Sequence, residues 1–370
     1  MIKFWIMAFF VLNSVVTIGS AKSGPYANAH ATFKWSGVHE VRIKKSIHSI
    51  VETATLTIPS IGWVVPANGS VPVMVIVGNQ FFDGDPITIE LGYNGALMTE
   101  FVGFVKRRDL GMPLVVECEG YVRQLRLNVA VSRDFTKKNT SAKELLQLAT
   151  AGTDITVQCD VDFPISGVNL VKEDGVKICD FIKEASDHTL TIFFINPTTL
   201  WCGLPYTMVS LQTPNNNPGG DLTSIFKLPM VSYRPGWNMP KDNALKERIP
   251  SEPVIVIMKG KLASGLQVHT ASKDKVAARK MQSLLNHVPD NATMGRFAQE
   301  KAYLMNYTGL EGKLTGFLQP YAAPGYDAYV TDSRYPELVG TYIIESTEVV
   351  YGVKGARRIC ELGPRVGFDS

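Results

Sequence analysis

The feature that most constrains the fold is an alternation of apolar and polar residues over 38–58. Side chains of an extended strand point to opposite faces in turn, so this pattern predicts strands with one buried and one exposed face. The alternation loses its phase between Ile47 and Ile50, where we therefore expect a bend or a hairpin. The residues predicted to face inward are Val41, Ile43, Ala54, Leu56 and Ile58, and those predicted to face outward are Arg42, Thr55 and Thr57.

More short strands follow at close intervals, separated by residues that favour turns. Asn94-Gly95 lies between two of them and predicts a tight hairpin, because a type I′ turn needs positive φ at both central positions. Many short antiparallel strands close together are typical of a β-barrel or a β-sandwich. The predicted strands are 73–77, 86–93, 98–107 and 114–121.

The middle of the chain contains helical as well as strand patterns. Ser141 followed by Glu144 forms a capping box, which predicts the start of a helix. Gly152 is a suitable residue for the end of that helix. This part of the sequence therefore predicts a small α/β unit. Its predicted helices are 142–151 and 176–186, and its predicted strands are 155–161 and 189–195.

The C-terminal part begins with a proline-rich stretch and then returns to strands. Seven prolines lie within 214–253, which we interpret as a surface loop or linker. Two amphipathic patterns predict a helical pair over 272–288 and 292–307, with Asn291 capping the second helix. The predicted strands are 254–258, 314–318, 327–331, 340–351 and 357–362.

Two interpretations of residues 1–21 remain open. A positive charge, an apolar run over 4–12 and small residues up to Ala21 resemble a cleaved secretory signal. The strand-forming valines and isoleucine that follow predict instead a first strand over 9–18, and we favour this strand. The stretch is too short and too interrupted by polar residues to span a membrane stably.

The charge balance argues against a dedicated nucleic-acid or membrane binder. Thirty-seven basic and 34 acidic residues give a net charge of +3, which creates no strong field to attract polyanions. Charged residues make up 19% of the chain and hydrophobic residues 45%. A core is therefore easy to bury, and a surface poor in charge suits the buried part of a protein interface.

No catalytic, cofactor-binding or metal-binding residues are predicted. The chain has no glycine-rich phosphate loop, no Gly-x-Ser-x-Gly and no His-Glu-x-x-His. Asp187-His188 lies at the predicted end of a helix, where a histidine interacts with the helix dipole. We expect His39 and His48 on an exposed polar face. An odd number of cysteines without a C-x-x-C motif predicts small buried thiols: Cys118, Cys159, Cys179, Cys202 and Cys360.

Four stretches in chain order carry a resemblance to a known family. The first is 101–106 with 116–121, the second 138–146, the third 191–194 with 200–206 (Leu-Trp-Cys-Gly-Leu-Pro-Tyr), and the fourth 312–320, 324–325, 340–345 and 355–363. In this order they resemble the baseplate hub protein of contractile-tail bacteriophages, the late control protein D family. That family is related to the hub part of type VI secretion VgrG spikes. The stretch 1–6 is more apolar than a hub needs, and the basic, proline-rich stretch 229–253 has no counterpart in the family.

The resemblance implies a fold that is mainly β with α+β insertions. It implies two antiparallel β-barrels, a small α/β domain and a helical pair. We expect the first barrel within 1–130, the α/β domain within 131–200 and the second barrel within 201–370. The helical insertion is expected at about 271–308, and either barrel can be discontinuous in sequence.

The same resemblance implies a structural function without enzymatic activity or cofactors. Three copies would form a ring whose six barrels give pseudo-sixfold symmetry. One face of this homotrimer would dock the hexameric tail tube and the other the trimeric central spike. Tape measure and baseplate wedge proteins are further implied partners, and the implied location is the virion tail baseplate, assembled in the host cytoplasm.

Two other functions stay open from the sequence alone. A secreted or periplasmic β-rich binding protein is favoured by the signal-like character of residues 1–21. A cell-wall-binding or cell-wall-hydrolysing tail component is suggested by the strand and helix order of 137–195, which could mimic a wall-binding module.

Overall fold

Strands dominate the structure, a computed structural model. The residues it describes are 11–19, 33–66, 71–128, 131–135, 140–165, 168–206, 229–240, 244–261, 267–271, 279–285 and 291–367. Within them the chain is mainly β with helical insertions, as predicted. No described helix combines the length and the apolar character needed to cross a bilayer.

The N-terminal part consists of antiparallel strands whose buried residues alternate along the chain. The inward-facing and outward-facing residues predicted for 38–58 are confirmed, and a turn at Ile47 and His48 separates the two strands. The strands are β1 (Leu12–Ile18), β2 (Phe33–Trp35), β3 (Glu40–Ser46), β4 (Ser49–Ile58), β5 (Ile61–Pro66), β6 (Val73–Ile76), β7 (Pro86–Tyr93), β8 (Ala96–Asp109) and β9 (Leu114–Glu119).

Two sequence predictions in this part depend on local backbone chemistry. Asn94 and Gly95 have φ values of 53° and 82°, so the hairpin between β7 and β8 has the positive φ angles expected of its turn. The strand predicted over 9–18 is confirmed as β1, which pairs with β7 and buries Val16 and Ile18. Residues 9 and 10 of that prediction lie outside the described residues.

The middle part forms the predicted α/β unit. The Ser141 side chain accepts a hydrogen bond from the backbone N–H of Glu144 at 3.2 Å, which caps the helix as predicted. The Glu144 carboxylate binds the Thr140 hydroxyl instead of completing the box. The elements are α1 (Val122–Leu127), β10 (Val131–Phe135), β11 (Thr140–Ser141), α2 (Ala142–Thr150), β12 (Thr156–Cys159), β13 (Pro164–Ile165), β14 (Val168–Glu173), α3 (Gly175–Ala185), β15 (Thr191–Asn196) and β16 (Thr199–Gly203).

The C-terminal part returns to strands around one long helix. The helix predicted over 292–307 is confirmed, as are the four strands predicted after it. The elements are β17 (Met230–Tyr233), β18 (Ala244–Arg248), β19 (Val254–Lys261), β20 (Gln267–Ala271), β21 (Arg279–Leu285), α4 (Asn291–Asn306), β22 (Gly309–Gly316), β23 (Asp327–Val330), β24 (Gly340–Gly352) and β25 (Gly355–Gly367).

Two predictions for this part are wrong. The first helix of the predicted pair is strand β21 over its described portion, and the proline-rich loop predicted over 214–253 contains β17 and β18. In β21, Ser283 and Leu285 are buried while Leu284 is exposed, which is the two-residue period of a strand. Pairing with the buried strand β19 overrides the helical spacing that the sequence suggested. Residues 272–278 and 286–288 of the predicted helix lie outside the described residues, as do 214–228 and 241–243 of the predicted loop.

One 15-stranded sheet joins the two ends of the chain. Its order is β18-β22-β25-β24-β3-β4-β9-β8-β7-β1-β2-β5-β6, with β23 on β24 and β17 on β23. Two portions of this sheet have separate hydrophobic cores. The described strands do not close into a barrel, so the two predicted barrels correspond here to two portions of one open sheet.

The long strand β24 passes from one core to the other. Tyr342 and Ile344 near its start belong to the core of β17, β18 and β22–β25, which we call the second core. Val349 and Tyr351 near its end belong to the core of β1–β9, which we call the first core. The sheet is thus continuous between the two cores.

A third core joins the α/β unit to β19, β21 and α4, which we call the insertion in the C-terminal part. It contains residues of α2, α3, β15 and β16 together with Val256, Met258, Leu285 and Phe297 from β19, β21 and α4. The insertion therefore packs on the α/β unit. The domain boundaries at about 130 and 200 stay predictions.

Candidate functional site

Asp187 and His188 lie directly after α3, both with positive φ. The Asp187 carboxylate accepts hydrogen bonds from Ser283 of β21 and Lys301 of α4. Burial acts to raise the pKa of Asp187, but the hydrogen bonds from Lys301 and Ser283 outweigh it and lower this pKa. The carboxylate thus has a structural role, because it joins the end of α3 to the insertion.

The histidines His39 and His48 are both exposed, as predicted. His48 Nε2 lies 3.4 Å from Glu345 Oε2, and the Tyr206 hydroxyl donates to Glu345 Oε1 at 2.5 Å. Burial acts to raise the pKa of Glu345, but these hydrogen bonds lower it overall. Among the described residues, no three or more metal-ligating side chains cluster together.

The five cysteines are free thiols. Four are buried, which confirms the prediction for them, and Cys159 is half-buried. Burial raises the pKa of Cys179 to about 12, so this thiol stays protonated and unreactive at neutral pH.

A buried ion pair joins the first and second portions of the large sheet. The Arg358 guanidinium of β25 donates to both Glu100 carboxylate oxygens of β8, at 2.7 and 3.2 Å. It also donates to the carbonyl oxygens of Ala322 and Leu318, at 2.8 and 3.1 Å. Both charged side chains are 2% exposed. Such a bidentate pair holds two elements in a defined relative position.

The 200–206 stretch lies where the α/β unit, α4 and β24 meet. Trp201 Nε1 donates to Asp160 Oδ2 at 2.8 Å, and the backbone N–H of Tyr206 donates to Glu300 Oε1 of α4 at 2.8 Å. Trp201 and Tyr206 pack in one apolar cluster with Ile343 of β24. This motif of the family resemblance is therefore a structural junction.

A cavity of about 210 Å³ lies between β8, the end of β15 and the 321–326 loop. Its charged walls include Lys45 and Glu52, whose Nζ and Oε1 atoms lie 3.9 Å apart. Burial raises the pKa of Glu52 although Lys45 acts in the opposite direction. The two charges in this wall therefore compensate each other.

A group of exposed apolar side chains lies on the β5–β6 hairpin. Trp63 lies opposite Met74, and Ile61 lies opposite Ile76, in antiparallel register. These four side chains point to the same face and are each 58–60% exposed. We call them the apolar hairpin face. Contiguous exposed apolar side chains of this size mark interaction surfaces in soluble proteins.

Strand β6 is also one end of the large sheet, and no described strand pairs with its outer edge. The backbone N–H of Val77 donates to the Ser60 carbonyl oxygen at 2.9 Å, which fixes the hydrogen-bonding phase of the hairpin. Along an antiparallel strand, the backbone N–H and C=O groups of successive residues point alternately toward and away from the partner strand. The backbone groups of Met74 and Ile76 therefore point away from β5. The hairpin therefore presents apolar side chains and an open strand edge together.

Packing from the first core and the β8–β9 loop supports the hairpin. A Cβ atom on Gly62 would lie 1.9 Å from Cη2 of Trp35, so the indole ring packs directly against the β5 backbone. On the other side, the Ser60 hydroxyl donates to the Gly111 carbonyl oxygen at 3.4 Å. Leu110 and Met112 of that loop are exposed as well.

A large groove lies at the opposite end of the sheet, beside β18. Its volume is about 900 Å³, and it is bounded by the loop after β17, by β18 and by the loop after β23. Its floor is formed by apolar residues of the second core, Met239, Leu310 and Val330. On its rim the Arg334 guanidinium pairs with the Asp332 carboxylate at 2.6 Å.

Sequence reasoning named no site residues and missed the apolar hairpin face. The available signal was an absence of charge, because no charged residue occurs between Glu52 and Asp83. The groove could not be found in the same way, since its walls come from three separate parts of the C-terminal region.

Comparisons with known proteins give matches in structure alone. No family model matches the sequence, and no curated protein matches it. A tail protein from Neisseria meningitidis MC58 matches over 95% of this chain and 96% of its own, with a TM-score of 0.58 and 10% identity. The 43 kDa tail protein of prophage MuSo2 from Shewanella oneidensis matches over 96% and 98%, with a TM-score of 0.57 and 11% identity.

A chain of the half-lidded Francisella PdpA-VgrG complex matches over 97% of this chain and 60% of its own, with a TM-score of 0.51 and 9% identity. The chain thus has the fold of phage tail proteins. The predicted resemblance to tail hub and VgrG proteins is confirmed for the fold.

Proposed function

We propose that the chain is a structural tail protein, the hub that joins the tail tube to the central spike of a phage tail or a related contractile injection system. The observation that supports this most is the fold match over nearly the whole length of two tail proteins. The function needs contact surfaces rather than a reaction centre, and we propose that the protein has no enzymatic activity.

The two cores of the large sheet support a ring of three copies. Each copy contributes two portions of sheet with separate cores, so a trimer has six such portions. A ring of this kind has threefold symmetry with pseudo-sixfold character. It can therefore present matching surfaces to a hexameric tube on one side and a trimeric spike on the other.

The proposed partners are a second and third copy of this chain, the tail spike protein and the tail tube protein. Tape measure and baseplate wedge proteins are further candidates, and the proposed location is the virion tail baseplate. The matched chain from the PdpA-VgrG complex supports an association with spike-type proteins. Exposed apolar residues at one end of the sheet support a role in assembly.

The experiment that tests this proposal is the solution mass of the purified full chain over a range of concentrations, measured by light scattering. We expect three times 40.7 kDa, and ring-shaped particles with six lobes in electron micrographs. Addition of the spike protein expressed from the same genome should increase the mass by one spike trimer per ring. A chain that remains monomeric at all concentrations, with and without the spike protein, would contradict the proposal.

A further inference from the structure

We propose that the apolar hairpin face of one copy docks into the groove beside β18 of the next copy. This inference rests on the proposed ring and adds the two surfaces that form its subunit contact. Ile61, Trp63, Met74 and Ile76 supply the inserting side, and the groove of about 900 Å³ supplies the receiving side.

The hairpin has the properties of an inserting element. Trp63 is a large rigid side chain at the centre of the apolar hairpin face, flanked by its cross-strand neighbour Met74. Tryptophan is enriched among the residues that dominate binding energy, and it acts best in a desolvated pocket. The surrounding segment has no charged residue between Glu52 and Asp83, so insertion would desolvate no ionised side chain of the hairpin.

The groove has the properties of a receiving site. Its volume lies within the roughly 300–1,000 Å³ typical of clefts that enclose drug-sized ligands. Met239, Leu310 and Val330 form an apolar floor. On the rim, the Arg334 guanidinium is already paired with Asp332, so an apolar occupant leaves neither of these two charges unpaired. Arg234, Glu247 and Glu337 also line the groove, around this floor.

A second copy of this chain is the occupant because both surfaces lie on the same sheet. Strand β6 is one end of the sheet order and β18 is the other, so each copy carries one inserting and one receiving surface. Contacts between two different surfaces are head-to-tail. When such a ring closes, every inserting surface and every receiving surface is covered by a neighbouring copy. Closure would also cover the open edge of β6, which would otherwise favour aggregation.

The first test introduces a charge into the hairpin face. We expect Trp63→Asp, and separately Met74→Asp, to raise the concentration at which half of the chains are trimeric by about thirtyfold or more, the loss typical of a central contact residue. Val353→Asp is the matched control, because Val353 is 86% exposed in the β24–β25 turn and belongs to neither surface. Its trimer should be unaffected, and circular dichroism should show that all three variants remain folded.

The second test joins the two surfaces chemically. Full-length chain with Met74→Cys and Ser333→Cys, treated with a short bismaleimide, should give linked species of two and three chains and none larger. Each single variant should give no linkage beyond that of wild type, and the two single variants co-expressed should give only pairs of chains.

The outcomes separate the inference from the proposed function. A trimer that persists in both charged variants, or a trimeric double-cysteine variant without links between chains, would overturn the inference and leave the hub proposal standing. In that case the apolar hairpin face contacts a different tail protein. A wild-type chain that never associates would overturn both.

Discussion

Replacing Glu100 by alanine tests the buried ion pair between the two portions of the large sheet. The change leaves the Arg358 guanidinium, 2% exposed, with the carbonyl oxygens of Ala322 and Leu318 as hydrogen-bond acceptors and the Tyr321 ring beside it, but with no carboxylate. Removal of one member of a buried pair costs about 3–5 kcal/mol, because the other charge stays buried without compensation. With a urea slope of about 3 kcal/mol per molar, the unfolding midpoint should fall by roughly 1–2 M.

The controls decide whether the loss comes from the uncompensated charge. Glu311→Ala breaks the exposed pair with Arg248, whose side chains are 44% and 29% exposed. It should cost less than about 1 kcal/mol. The double variant Glu100→Leu with Arg358→Met should recover more than half of the loss, because apolar side chains often replace a buried pair at little cost. Equal midpoints for Glu100→Ala and Glu311→Ala, or a double variant no better than the single one, would refute the reasoning.

Three further predictions concern other parts of the fold. Tyr206→Phe removes the hydroxyl that binds the Glu345 carboxylate and should cost about 1.5–3 kcal/mol in urea unfolding; an unchanged midpoint would show that water replaces this bond. Gly62→Ala places a methyl group against the Trp35 ring and should lower stability by about 1–3 kcal/mol, measured by thermal unfolding, whereas no loss would mean that the ring moves freely. Burial raises the pKa of Asp327 from 3.8 to about 6, so the folded state binds this proton more tightly and stability falls as the pH rises from about 4 to about 6. Asp327→Asn should remove that fall and stabilise the protein at pH 7 by about 3 kcal/mol, and equal pH profiles for the variant and the wild type would contradict it.

The parts of the fold that local chemistry determines could be predicted from the sequence. Three such features depend only on residues close in sequence, and the structure confirms each of them. They are the alternation around β3 and β4, the Asn94-Gly95 turn and the Ser141 cap. The pairing of β19 with β21 is different, because the two strands are parallel and their residues are about 25 positions apart in register, as in Val254 opposite Arg279. No local pattern encodes that partner, so the helical spacing of the same residues was misleading.

The candidate site consists of the apolar hairpin face and the groove beside β18. It was less predictable than the fold, because one half comes from a continuous segment and the other from separate parts of the chain. The hairpin face comes from one continuous segment, and its lack of charge is visible in the sequence. Exposure of that segment is not visible, since a charge-free, β-branched run is equally typical of a buried strand. The structure resolves the ambiguity, because β6 is a terminal strand of the sheet and its Met74 and Ile76 side chains are exposed.

The position of the hairpin at the sheet end also explains why it can remain free of charge. Natural sheets usually protect an open edge with lysine, proline or a bulge, since an apolar edge invites pairing with other chains. Here the other end, β18, follows that rule with Lys246 and Glu247 exposed, whereas β6 exposes Met74 and Ile76. A sheet that is protected at one end and open at the other is suited to directional association. In a closed ring, each apolar end is covered by the receiving end of the next copy. The assembled protein then exposes no apolar strand edge, although β6 carries no protecting charge.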